Sequence, residues 1–208
     1  MNPIIREDDI LEFEAFGEDN GFMSIAAECS WRGFAVELQE LHYLKGARFI
    51  NQLKLIAYYG EFHSVEPNIF SAISEENADY NNLINAAHKA VEHGYTVYIL
   101  PNPRDFRTAD FILERRGVFK MFDLKNISGK SIVGSRLIES IGQANRVLLN
   151  MPAAYDTRLL AAEIRNYFET YDDALEVLIF KGHKMISIDR IVALNPMFYR
   201  LLKRKYEK

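Results

Sequence analysis

Two short apolar runs, Arg146 to Met151 and Leu175 to Phe180, flank a stretch of helical periodicity, Thr157 to Tyr171. No other feature of the chain constrains its fold as much. Each run reads as a strand, and the stretch between them as a helix. Strands joined through a helix are set side by side and parallel, because the helix supplies the crossover that a tight turn cannot. Gly182 then turns the chain, and Met185 to Ile188 is placed to return antiparallel.

The same alternation reaches further back. Ala78 to His93 reads as a helix with Leu83, Ile84, Ala87 and Val91 as its apolar stripe, and Gly94 comes next as a stop. Tyr95 to Leu100 is a strand ended by Pro101-Asn102-Pro103. Thr108 to Leu113 is a second short strand, with a turn near Arg115 to Gly117. Val118 to Lys125 is a third, and the short turn before it favours a hairpin. Asn126 to Lys130 is a polar loop, and Ser131 to Ala144 reads as a helix. From Pro196 the chain ends in a basic amphipathic helix. The expected class is α/β, a mixed β-sheet with flanking helices.

Before this region the pattern is mainly helical. Trp31 to Phe62 carries apolar residues at helical spacing, and Val65 to Ile73 has room for another short helix. Ser64 to Asn77, with Pro67 and Glu75-Glu76, is the candidate boundary. The expected division is a helical N-terminal unit over residues 1–75 and an α/β unit over 76–208, the latter including the basic C-terminal helix.

With 208 residues, 49% of them hydrophobic, the chain can bury one sizeable core, or one core and a satellite. A net charge of −4 argues against a general nucleic-acid binder, though not against a local basic cleft. The lone Cys29 forms no internal disulfide and no Cys-based zinc site, which points to a reducing compartment. The first residues show no basic-then-apolar signal pattern, and no run reaches the roughly 18 apolar residues of a membrane span. The expectation is a cytoplasmic chain with no membrane partner.

Chemistry concentrates on the second and third of the later strands. Asp110 lies in the strand at Thr108 to Leu113. Asp123 and Lys125 are two apart on the next strand, so both side chains leave it on one face, with Phe119 and Met121 further along. A hairpin of these strands would bring Asp110 toward Asp123 near one sheet edge. Two converging carboxylates hold a hard divalent cation, Mg²⁺ or Mn²⁺, through oxygen. Such a cation lowers the pKa of a bound water and neutralises phosphate charge. Lys125 would orient the nucleophile or stabilise charge on the phosphorus oxygens. The order Asp110, then Asp123-Leu124-Lys125, is the pattern of the PD-(D/E)xK nuclease superfamily. The ordinary counterpart is a solvated Asp-x-Lys face.

Other residues extend this constellation. Gln143 would contact the scissile phosphate or a water, or else cap its helix. Arg146 would bind a phosphate, or form a surface ion pair. Ser128 and Lys130, in the loop after the Asp123 strand, would touch nucleic acid, although turn chemistry accounts for Ser128-Gly129 equally well. Arg107, Arg115 and Arg116, with Arg104, would form a basic rim for phosphate, or balance Asp105 and Glu114. Glu92 would add a third carboxylate, or stay solvated. The five histidines have no tight metal-ligand spacing; a metal-free RNase would draw its general acid or base first from His88 or His93, then from His183. There is no Gly-rich phosphate loop, G-x-S-x-G elbow or zinc-protease motif, which argues against nucleotide-dependent and acyl-transfer enzymes.

A longer stretch carries a family likeness. Ala109-Asp110-Phe111-Ile112-Leu113, Gly117 to Asp123, the helix Ser131 to Ile141, Gly142-Gln143-Ala144-Asn145-Arg146 running into Val147 to Asn150, and Glu176 to Lys181 succeed one another over about Ala78 to Ile188. In that order they resemble the C-terminal tRNase domain of contact-dependent growth inhibition toxins. The resemblance implies a metal-dependent nuclease acting on RNA, with tRNA as substrate and a cognate inhibitor protein as partner. It strengthens the two Asp-bearing strands in particular; the catalytic roles of Asp110, Asp123, Lys125 and Gln143, with the two Asp residues as metal ligands, remain those read from the residues themselves, and Lys125 departs from what the resemblance requires. Residues 1–75 lie outside it. Two alternatives stand beside this reading. One is an inactive relative that docks a protein or RNA through its front helices, with Tyr43, Phe49, Tyr58, Tyr59 and Phe62 at the interface. The other is the metal-free, histidine-dependent RNase.

Overall fold

The computed structural model describes residues 62–73, 75, 77–100, 109–116, 118–128, 132–152 and 154–207. The helix expected from Trp31 onward, the front-helix aromatics before Phe62, Cys29, Arg104, Arg107 and Lys130 lie outside the described residues. The chain divides into two compact units, Met1–Met121 and Phe122–Lys208.

The described part of the first unit is an α/β layer. Its strands are β1 (His63–Glu66), β2 (Ile69–Ser71), β3 (Thr96–Ile99) and β4 (Phe111–Arg115), and its helix is α1 (Tyr80–Glu92). β1 and β2 form an antiparallel hairpin, β2 and β3 run parallel, and β3 and β4 run antiparallel. The short helix expected at Val65 to Ile73 is therefore a pair of strands. The reason lies in Pro67-Asn68: Asn68 takes a left-handed conformation with φ of 65°, which reverses the chain between β-favouring residues. β2 also shares its sheet with β3, so the segment inside the expected boundary packs with a strand beyond it.

α1 covers this sheet with Leu83, Ala86, Ala87 and Ala90, all buried. The buried stripe is turned slightly from the expected one: Ile84 and Val91 are half-buried, and small alanines take the closest positions against the sheet. Gly94, at φ 77°, ends the helix as its position predicts.

The second unit contains α2 (Val133–Glu139), β6 (Arg146–Met151), α3 (Thr157–Thr170), β7 (Glu176–Lys181), β8 (Lys184–Asp189), the single turn α4 (Arg190–Ala193) and α5 (Phe198–Glu207). It also contains the later part of β5 (Val118–Asn126), the strand within which the division falls. β5 pairs with β6 in parallel and β6 with β7 in parallel, while β7 and β8 form the antiparallel hairpin around Gly182. The crossover read from the sequence is α3, between β6 and β7. Both units thus carry mixed sheets flanked by helices, which is the expected class.

One core holds the second unit together. Val147, Leu149, Val177 and Ile179 point to one face of the sheet, and Leu137 of α2, Leu160, Ile164 and Phe168 of α3, and Phe198, Leu202 and Tyr206 of α5 pack there. The three contributions from α5 recur every fourth residue, which is one helical face. Arg165 of α3 ties the end of α4 in place, donating to the carbonyls of Ala193 and Asn195. α2 is shorter than the expected Ser131 to Ala144 helix. Ser140 bonds back to the Leu137 carbonyl at 2.6 Å and Gly142 is left-handed at φ 85°, so the chain leaves the helix in a string of turns. Among the described residues no helix is long and apolar enough to cross a membrane.

Candidate active site

Register decides where Asp123 and Lys125 point. In the parallel pair β5–β6, Asp123 stands opposite Val147 and Lys125 opposite Leu149. Partners in a parallel ladder project to the same face. Val147 and Leu149 belong to the core beneath α2 and α3, so the two charged residues enter the helix-covered face and not a solvated one. Asp123 is 1% exposed and Lys125 14%, and Lys125 Nζ lies 2.7 Å from Asp123 Oδ2. The plain solvated reading of Asp-x-Lys does not describe this pair.

Two further hydroxyls are buried in this unit, one of them within electrostatic reach of Asp123. Tyr167 of α3 is buried and hydrogen-bonded with Ser140, which is itself fully buried at the end of α2. Burial raises the Tyr167 hydroxyl above its usual pKa; the Ser140 bond works against this, and the neighbouring Asp123 carboxylate adds to it. Sequence reasoning missed Tyr167 and Ser140. Their only signal was a polar residue on the inner stripe of each helix, and a tyrosine there reads equally well as core.

Tyr167 also lines a cleft of about 240 Å³ between α2 and α3, together with Gly134, Ile138, Glu163, Asn166 and Tyr171. Tyr167 therefore feels the Asp123 charge and also lines a space open to solvent.

The remaining expected site residues fall in several places. Gln143 donates to the Glu139 carbonyl at 2.7 Å, so it closes the end of α2. Arg146 is an ion-pair residue, but an interior one: it is 2% exposed and its Nε lies 3.6 Å from Glu176 Oε2, with Ser187 donating to Glu176 Oε1 at 2.6 Å. A buried guanidinium bound to a carboxylate is not presented to phosphate. Ser128 is exposed after β5. Asp110 is half-buried just before β4, in the first unit, and its carbonyl accepts from Leu100 N at 2.8 Å. Arg115 and Arg116 are exposed at the end of β4; the Arg115 guanidinium stacks 5.4 Å from the Tyr95 ring centre, and Arg116 adopts φ 56° in the turn. Of the histidines, His88 pairs with a carboxylate, its Nε2 lying 3.0 Å from Glu66 Oε2.

Among the described residues no three His, Cys, Asp or Glu side chains gather to hold a metal ion. Asp123 is the carboxylate of the second unit's site, and Lys125 engages one of its oxygens.

No protein-family model matches the chain, and no curated protein matches it. Among solved structures the chain is similar to the CdiA-CT/CdiI toxin and immunity complex from Burkholderia pseudomallei, at 16% identity and a TM-score of 0.42, over 62% of this chain and 96% of that one. A likeness at this level fixes neither activity nor substrate for the chain.

Proposed function

We propose that the second unit is the catalytic part of a nuclease that hydrolyses phosphodiester bonds in RNA, with Asp123 and Lys125 at its centre. The observation that carries this is the 2.7 Å pair on the helix-covered face of the sheet, 1% and 14% exposed. Removing an ion pair from water costs several kcal/mol per charge before any attraction is counted, on the order of magnitude found for buried pairs generally. Charges kept inside at that cost mark functional sites more often than random surface does.

Lys125 is the more open member of the pair, so it is the group a phosphate meets first. Its ammonium would stabilise the negative charge that grows on the phosphorus oxygens as water adds and the P–O bond breaks. Asp123 holds the ammonium in position and is the carboxylate that would carry a divalent cation, Mg²⁺ or Mn²⁺. Such a cation, when bound, supplies a more acidic water and further neutralises phosphate charge. tRNA as the substrate and a cognate inhibitor protein as partner enter through the sequence resemblance; Asp110 as a second acidic ligand enters through the residue pattern.

Incubating the full chain with total tRNA, with Mg²⁺ or with EDTA, tests the reading. Cleavage that needs the cation and is lost in both Asp123→Asn and Lys125→Met is the expected result. A second reading is favoured by one contact, the surface pair His88–Glu66 at 3.0 Å, since a carboxylate at one ring nitrogen orients the other for proton transfer. Cleavage that persists in EDTA and disappears in His88→Ala supports that reading instead. Absence of cleavage in every condition leaves the protein a binding module.

A further inference from the structure

We propose that the cleft between α2 and α3 is a nucleobase site, and that the base it takes is guanine. The role of such a site in RNA cleavage rests on the function proposed above; its chemistry rests on the cleft alone.

Size comes first. About 240 Å³ is below the range of roughly 300–1,000 Å³ typical of pockets for larger organic ligands, and suits one base with part of its sugar. Tyr167 and Tyr171 both line the space, with ring centres 5.5 Å apart and planes tilted by 46°. Tyr171 is half-buried and leaves ring surface for a flat ligand. A base stacked on an aromatic ring gains about 1–3 kcal/mol in single-stranded recognition generally, and unstacked bases are what RNA offers in loops.

The polar groups then choose the base. The backbone N–H of Val133 donates to Tyr155 Oη at 3.2 Å, and that hydroxyl donates to Glu163 Oε2 at 3.1 Å. This relay fixes the carboxylate while engaging only one of its oxygens. The other oxygen faces Gly134, where an added Cβ would sit 3.6 Å from Oε1. Gly134 and Glu163 both line the cleft, so the carboxylate stands at its wall. A carboxylate only accepts hydrogen bonds. Guanine presents two adjacent donors on its Watson–Crick edge, the ring N1–H and the exocyclic amino group. Adenine and cytosine set a ring acceptor beside their amino group, and uracil flanks its single N–H with two carbonyls, so each of these meets the carboxylate with a repulsive neighbour. The exposed side-chain NH2 of Asn166 can donate to the base's carbonyl and N7, both of which are acceptors. Among the described residues the lining holds no lysine or arginine, which fits an uncharged base and not a phosphate.

The test uses nucleosides, which have no phosphodiester to cleave. Guanosine, adenosine, cytidine and uridine are titrated into the full chain by calorimetry, with tyrosine fluorescence as a second readout. Guanosine is expected to bind at least about tenfold tighter than the others, the discrimination a site gains by leaving polar groups unpaired with wrong ligands. Glu163→Gln removes that preference, and Gly134→Val closes the cleft and abolishes binding. Asn166→Leu, at an exposed position, weakens guanosine binding with no effect on folding, so a misfolded Glu163 variant does not save the idea. Equal binding of all four nucleosides, or none at millimolar concentration, overturns the assignment. Guanosine binding without RNA cleavage removes the nuclease reading and keeps the site; RNA cleavage without guanosine binding does the reverse.

Discussion

Asp123 keeps its charge out of water because Lys125 stays beside it, and that dependence can be measured. Lys125→Met takes the neighbouring ammonium away from a carboxylate 1% exposed, and should cost about 3 kcal/mol in urea denaturation, at the lower end for breaking a buried pair. Adding Asp123→Asn to that variant should recover most of the loss, since an amide needs no counter-charge. Tyr206 gives a second test at this scale. It is buried, its hydroxyl has no hydrogen-bond partner among the described residues, and the Lys181 ammonium lies 3.7 Å from its ring centre. Burial, with Tyr155 nearby, pushes its pKa from 10.0 up to about 12. An acid with a raised folded value favours the folded state while protonated, so its contribution is whole below pH 10 and is lost as the pH climbs through about 12. Denaturation across that window should show stability falling in the wild type and a shallower fall in Tyr206→Phe. At neutral pH the two proteins should be nearly equal, because the phenylalanine forfeits no hydrogen bond.

α3 carries more of the candidate site than any other element. It supplies Glu163, Asn166 and Tyr167 to the cleft while its opposite end leads to Tyr171. Its start depends on Asp156, whose carboxylate accepts from Leu159 N at 2.7 Å. Asp156→Ala should lower stability by about 1 kcal/mol in chemical denaturation, whereas Asp156→Asn, which keeps the acceptor, should lower it much less. The limits of α3 were legible from periodicity alone: Thr157 to Tyr171 was expected and Thr157–Thr170 is found. α2 was legible as a helix but not in length: Ser140 and Gly142 end it early, and the 3.6-residue period of Ile132, Ser135, Leu137 and Ile138 says nothing about where the backbone turns. Val65 to Ile73 went the other way. Nine residues with a few apolar side chains fit either period, and pairing of β2 with β3 decided for strands.

At the scale of the whole chain, β6 and β7 are central in the second unit's sheet and 0% exposed at Val147, Leu148, Leu149, Val177, Leu178, Ile179 and Phe180. Within that unit, hydrogen exchange should therefore be slowest in peptides covering 146–151 and 176–181, and fastest in the turn at Gly182-His183, as backbone bonds in a buried ladder open only with the unit as a whole. Exchange in β6 as fast as in that turn would contradict this order.

The sequence alone determined the alternation of strands and helices, the parallel β6–β7 crossover and the pairing of Asp123 with Lys125 on one side of a strand. All of these come from local periods of two and 3.6 residues and from short-range turn chemistry. Tertiary structure alone decided which side of the sheet that pair faces, that Arg146 turns inward to Glu176, that Gln143 closes a helix, and that Tyr167 meets both Ser140 and a cleft. A strand's period fixes which residues share a face but not what covers it, and burial of charge depends on neighbours far away in sequence.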